Sequence, residues 1–245
     1  MRQRDEHDPF DMRAVDAMHN DHDMMDATRT FLGKTFQHGY YRNFTWLGRP
    51  IIQYPQDVIA LQELIWEYRP TLVLETGVAH GGALILYASI LELIGGRGDV
   101  IGVEVEYRDH NKRAMEAHPL AKRISVIEGS SVAPAVLAAV RERAAGHEKI
   151  MVVLDSLHTH DHVLRELQEY SPLVRKGGPL VVFGTAVGEI DPAIDLKREW
   201  DQKRNPKSAL EEFLRNNDRF EVDREINDKL LITDAPSGYL RATRD

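Results

Sequence analysis

Residues 74–88 read LETGVAHGGALILYA: an apolar stretch ending in an acid, a cluster of glycines, and a second apolar stretch of helical length. With the residues before it, TLVLE (71–75) has the aliphatic, β-branched composition of a short strand buried on both faces. Gly77 allows a sharp turn after that strand, and Gly81 and Gly82 leave the backbone bare where the next helix begins. A strand, a bare turn and a helix in that order form the ligand-facing unit of open α/β sheets, which bind their ligands beyond the carboxyl ends of the strands.

The same alternation continues outward. DVIGVEV (99–105), RISVIEG (123–129), KIMVVLDS (149–156) and GPLVVFG (178–184) are further apolar runs, and helical patterns separate them at 83–95, about 108–117, 132–145 and 161–171. Parallel neighbours require a crossover, so strands and helices in strict turn predict an α/β fold with a doubly wound, mostly parallel sheet. Upstream, PQDVIALQELIWEYRP (55–70) puts Val58, Leu61, Leu64, Ile65 and Tyr68 on one helical face between two prolines. Downstream the rhythm changes: a helix at NPKSALEEFLRNN (205–217) is followed by RFEVDREI (219–226) and KLLITDA (229–235), with Asn227 and Asp228 expected to turn them into an antiparallel hairpin. The first thirty-odd residues, rich in Asp, His and Met, are expected to form an arm or short helix. His19 and His22 lie there without a third ligand, which favours a solvated polar face over a metal pair.

Composition narrows the partners. The 245 residues carry a net charge of -8 and are 42% hydrophobic, enough for a substantial core and without the basic stripe that nucleic acid or an anionic membrane would need. There is no cysteine, so thiolate chemistry and disulfides are excluded. No apolar run has the length of a signal peptide core or a membrane span, and a cytoplasmic location is the expectation.

The glycine turn departs from the Gly-x-Gly-x-x-Gly pattern of dinucleotide sites, reading Gly-x-x-x-Gly-Gly behind Glu75 and passing through His80. A carboxylate there repels a pyrophosphate but suits an ammonium, so S-adenosylmethionine fits better than a nicotinamide cofactor. The other reading of Gly81 and Gly82 is close helix–strand packing. The second strand ends in Glu104 and Glu106, and Glu104, the first acid after the apolar run, is the candidate to grip a ribose diol. Gly129, Ser130 and Ser131 close the third strand and either present polar groups to an adenine edge or cap the following helix.

Several stretches together, GYYRNFTWLGRPIIQYPQD, QELIWEYRPTLVLETGVAHGG, VIGVEVEYRDHNKRAMEAHPL, IEGSS, LDSLHTHDHVLRELQEYSPLV and NPKSALEEFLRNNDRFEVDREINDKLLITDAPSGYL, resemble the cephalosporin hydroxylase / rhamnosyl O-methyltransferase family over nearly all the chain after residue 38. The resemblance implies a Rossmann-like, seven-stranded class I methyltransferase with an antiparallel C-terminal hairpin. Residues 38–245 would be the S-adenosylmethionine-binding domain and 1–37 an appended arm. It implies O-methylation of a sugar or natural-product hydroxyl, a small-molecule glycoside partner, a homo-oligomer, and Mg²⁺ beside the cofactor in several members. Asp155 and His158 match the family's Asp and the His three residues later. Asp155 would then ligate a metal, touch the cofactor or orient a base, and His158 would be the general base for the hydroxyl proton.

One family feature is missing. The fifth strand usually ends in an acid that completes the magnesium cluster, whereas this chain has Phe183 and Gly184 there. Metal-free transfer, a relocated metal site using Glu189 or Asp191, and a protein that binds the cofactor without transferring its methyl all remain open on the sequence. His160 and His162 read as the exposed first turn of a helix. Tyr40, Tyr41, Arg42 and Trp46 could select a substrate or simply fill a packed segment, and the loop 185–205 could fold over the site.

Overall fold

A computed structural model describes residues 10–190 and 203–245. The N-terminal region forms two helices, α1 (Met12–His19) and α2 (His22–His38), each opened by an aspartate, Asp11 or Asp21, that accepts a first-turn backbone N–H. His19 and His22 are both exposed. Gly39, at a φ of 62°, ends α2 and leads into a short hairpin, β1 (Phe44–Trp46) and β2 (Arg49–Ile51).

Then follow α3 (Pro55–Tyr68), β3 (Leu72–Thr76), α4 (Gly82–Ile94), β4 (Asp99–Glu104), α5 (Asp109–Glu116), β5 (Ile124–Glu128), α6 (Pro134–Ala144), β6 (Ile150–Leu154), α7 (His160–Tyr170) and β7 (Pro179–Val182). The chain ends with α8 (Pro206–Asn216), β8 (Phe220–Val222), the single turn α9 (Arg224–Asn227) and β9 (Tyr239–Ala242). The seven-stranded sheet has the order β5-β4-β3-β6-β7-β9-β8, parallel except at β9, which pairs antiparallel with both β7 and β8. The order reverses direction at β3 and β6, so the cleft beyond their carboxyl ends is the topological switch point.

The sheet is apolar on both faces because β3, β6 and β7 are buried at every position. One face packs α3 and α4 through Leu61, Ile65, Leu84 and Tyr87; the other packs α6, α7 and α8 through Leu137, Leu167 and Leu210. The N-terminal helices add a smaller aromatic cluster in which Leu32, Tyr41 and Tyr54 are buried together.

The antiparallel C-terminal pair expected of the fold is present, but its second strand is not the segment the sequence suggested. Asn227 closes the helical turn α9 instead of a two-residue strand turn, because Asp223 caps that turn by accepting the Ile226 N–H. KLLITDA (229–235) forms no strand, and the partner of β8 is β9, reached only after a long excursion. That excursion carries Thr233, Asp234 and Ala235 back to the carboxyl edge of the sheet.

Gly82 marks where β2 lies on α4. A Cβ there would overlap the Pro50 carbonyl oxygen, a backbone atom that no side-chain rotation can move. Gly82→Ala is expected to lower stability by about 1–3 kcal/mol, seen as a reduced urea midpoint with unchanged slope.

Candidate active site

The loop after β3 is held on both sides. Its Val78 and Ala79 N–H groups each donate to Glu104 Oε2 at 2.9 Å, and Glu106 N–H donates to Glu104 Oε1 at 3.2 Å. Its carbonyls face cations and amides: Arg49 donates to His80 O at 3.1 and 2.6 Å, and Asn111 Nδ2 donates to Ala79 O at 2.9 Å. Gly77 has a φ of 88° and crosses so close to β6 that a Cβ would overlap the Asp155 carbonyl oxygen.

The loop walls a cavity of about 760 Å³ at the switch point, a size in the ordinary range for small-molecule sites. Glu75, Gly77, His80, Gly82, Glu104, Gly129, Ser130, Ser131, Asp155 and His158 all line it. Gly81 does not: the space its missing side chain leaves is taken by the Met115 thioether. Packing within the protein thus leaves no room for a side chain at either glycine, and Gly82 also lines the cavity with its backbone. Ser130 and Ser131 do not cap α6, whose N-cap is Ala133 with no side-chain bond. Ser131 Oγ is instead 3.0 Å from His162 Nε2. Glu106 lies outside the cavity in an exposed ion pair with Arg108.

Glu75 is buried, with Oε1 accepting from the Tyr87 hydroxyl at 2.8 Å and Oε2 buried without a hydrogen-bond partner in the protein. Burial, then the charges of Asp155 and Glu104, holds its carboxyl well above the usual range. A carboxyl so placed gains from a cation entering the cavity beside it. Across the sheet, Asp155 Oδ1 is 3.1 Å from His158 Nε2, and Asp155 Oδ2 accepts from Gln53 Nε2 at 3.0 Å.

Two histidines differ from the exposed helix turn expected of them. His160 is buried against α8, with Nδ1 2.7 Å from Ser208 Oγ and Nε2 3.3 Å from Glu212. His162 lines the main cavity and is backed by the fully buried Glu166, 3.4 Å away. Of the aromatic segment, Trp46 donates to Ser89 Oγ at 3.0 Å and fills the structure, Arg42 lines this cavity, and Tyr41, although buried, lines a smaller one beside His158.

Sequence reasoning passed over Gln53, Asp57 and Asp234, although QYPQD and LLITDAPSGYL contain them. Asp57, fully buried in the first turn of α3, accepts from the Thr233 hydroxyl, the Asp234 N–H at 2.9 Å and the Tyr239 hydroxyl at 2.6 Å. Burial pushes it up to about 6. Asp234 Oδ2 accepts the Gly184 N–H at 3.0 Å, and burial, opposed by the His158 ring and reinforced by Asp155 and Asp57, pushes it up to about 7.

The magnesium cluster of the expected kind does not fit these residues. Both Asp155 oxygens are engaged, and a side chain at 184 would start 2.8 Å from His158 Nδ1 at a φ of 77°. Among the described residues, no three His, Asp or Glu side chains gather as a ligand set. Glu189 is paired with Lys207, and Asp191, with most of the loop 185–205, lies outside the described residues.

A profile of the rhamnosyl O-methyltransferase/CmcI family matches residues 38–243. The chain belongs to that family. A rhamnosyl O-methyltransferase of Mycobacterium leprae is 31% identical over 157 residues, covering 62% of this chain and 66% of that protein. One from Mycobacterium bovis is 29% identical over 214 residues, covering 82% and 81%. The chain therefore spans about two thirds to four fifths of these relatives' lengths. Among solved structures, apo CmcI superimposes with a TM-score of 0.58 at 14% identity, covering 83% of this chain and 78% of that one. The O-methyltransferase TomG of Streptomyces achromogenes, in complex with S-adenosylmethionine, does so with 0.53 at 15% identity and 79% of each chain. These two likenesses concern the fold, the Rossmann-like methyltransferase sheet. Among the described residues, no helix is long and apolar enough to cross a membrane.

Asp57 sets a pH dependence. Its carboxyl titrates higher in the folded chain, about 6, than its ordinary 3.8, so its contribution is complete below about pH 4 and is lost as pH rises through about 6. In thermal melts, the stability gap between wild type and Asp57→Asn is expected to be widest near pH 4 and to narrow by pH 7.

Proposed function

We propose that this methyltransferase-family protein methylates a hydroxyl of a rhamnosyl-like sugar or a natural-product acceptor, using S-adenosylmethionine. The observation that carries the reading is one cavity lined both by Glu75, with its unfilled buried oxygen, and by the Asp155–His158 pair.

S-adenosylmethionine, bound there, supplies an electrophilic methyl whose carbon–sulfur bond breaks as the bond to the acceptor oxygen forms. Glu75 Oε2 would receive the ammonium of the methionyl portion, directly or through water. Glu104 keeps acceptor capacity for a ribose diol beyond the loop amides it already binds, since a carboxylate offers about four lone-pair sites. Gly129, Ser130 and Ser131, with His162 beside them, form the wall at the adenine end.

The chemistry left to the protein is orientation and removal of one proton. His158 Nε2 is 3.1 Å from Asp155 Oδ1, a pairing that would orient the ring and stabilise the imidazolium formed when it takes the acceptor proton. Ile52, Gln53, Asp155 and His158 line both the main cavity and a smaller one of about 60 Å³ behind it. An acceptor hydroxyl at that junction lies within reach of the imidazole.

The absence of a side chain at Gly184 favours a second reading, a protein that binds the donor without transferring its methyl. Mass analysis of sugar and natural-product acceptors incubated with enzyme and donor separates the two, since a methyl-mass increment on any acceptor rules out the second.

Calorimetry with S-adenosylmethionine is expected to show tight binding that weakens at least about tenfold in Glu75→Gln, from loss of one charge-assisted contact. Unaltered affinity in that variant would remove Glu75 from the site. His158→Gln is expected to keep donor affinity and lose on the order of 10²-fold in kcat.

A further inference from the structure

Helix α7 turns one face toward the Ser131 end of the main cavity. His162, Glu166 and Tyr170 follow one another at four-residue spacing, so their side chains share that face. The Tyr170 hydroxyl donates to the Ser131 carbonyl at 2.7 Å, and His162 Nε2 lies 3.0 Å from Ser131 Oγ and 3.4 Å from Glu166 Oε1. Glu166 is fully buried; its Oε1 also accepts from Ser156 Oγ at 2.7 Å, and its Oε2 has no hydrogen-bond partner in the protein. A lone pair on Nε2 would face that carboxylate, so the neutral imidazole keeps its proton on Nε2 and carries its lone pair on Nδ1. Nδ1 has no partner among the described residues and is not closed off from solvent, and the ring lines the cavity with Ser130 and Ser131. Val105, just past β4, and Leu157, just past β6, line the same cavity while 72% and 51% exposed, an apolar surface on which a flat base would lie.

We infer that His162 selects the base of the methyl donor: Glu166 and Ser131 hold its Nε2–H, and Nδ1 accepts a hydrogen bond from the 6-amino group of adenine. That group carries the only N–H of the base, so an acceptor placed here reads adenine and rejects a 6-oxo purine, whose oxygen would meet the Nδ1 lone pair. Discrimination of this kind is strong, because the wrong base leaves a polar group of the site unpaired. The inference rests on S-adenosylmethionine occupying the cavity with its adenine against Gly129, Ser130 and Ser131.

Calorimetry with S-adenosylhomocysteine and S-inosylhomocysteine, on wild type and His162→Gln, tests it. Wild type is expected to bind the adenosyl compound at least about tenfold more tightly. Glutamine keeps an amide N–H for Ser131 and Glu166 without the ring lone pair, and should bring the two affinities within about threefold by weakening the adenosyl compound alone. Nitrogen-15 spectra of wild type, which depend on no variant folding, should show the His162 proton on Nε2 and a shift of Nδ1 that S-adenosylhomocysteine produces and S-inosylhomocysteine does not. Equal affinity of wild type for the two compounds would overturn the inference, as would an undiminished preference in His162→Gln or a ring proton found on Nδ1. An equal loss for both compounds in His162→Gln would also overturn it, since that marks a role in packing alone. Should wild type bind neither compound, the methyl-donor reading of the cavity falls, and the inference with it.

Discussion

The site depends on one carboxylate closing on two backbone amides. Glu104, at the end of β4, holds the N–H groups of Val78 and Ala79, so a loop of unusual backbone is tied to the neighbouring strand. Ala79 adopts a φ of 48°, and Gly77 and Gly81 flank it at 88° and 82°, a sequence of left-handed residues that turns successive amides inward. Arg49 and Asn111 satisfy the carbonyls on the outer side. With its polar groups paired in this way, the loop presents a fixed rim to the cavity, and Glu75 stands behind that rim.

The electrostatics follow from where the acids fall. Glu75, Glu104, Asp155, Asp57 and Asp234 approach the same edge of the sheet from five different segments, and their mutual repulsion adds to burial in the raised carboxyls of Glu75, Asp57 and Asp234. Such an edge disfavours a pyrophosphate and welcomes a cationic ligand. It also sets Asp155 3.1 Å from the His158 ring.

The parallel half of the fold is legible because strands buried on both faces write themselves as unbroken aliphatic runs; β3 to β7 fall within a few residues of TLVLE, DVIGVEV, RISVIEG, KIMVVLDS and GPLVVFG. The second strand of the C-terminal antiparallel pair is not, because Asn227 and Asp228 satisfy turn chemistry equally well at the end of a helical turn, and Asp223 decides the matter with a cap that pattern alone does not reveal. The cavity residues at strand ends are legible from position. Asp57 and Asp234 are hidden, since each sits in an ordinary helix start or loop and acquires meaning only through a partner 177 residues away. Burial likewise hides His160, whose partners lie on α8.

The bond from Asp57 to the Asp234 amide spans most of the polypeptide. A nascent chain emerging from the ribosome can shape the glycine loop and the parallel strands before the segment carrying Asp234 is made. The cavity that Asp234 lines thus closes through a contact between segments 177 residues apart, and a fragment ending before Thr233 would keep the glycine loop without it.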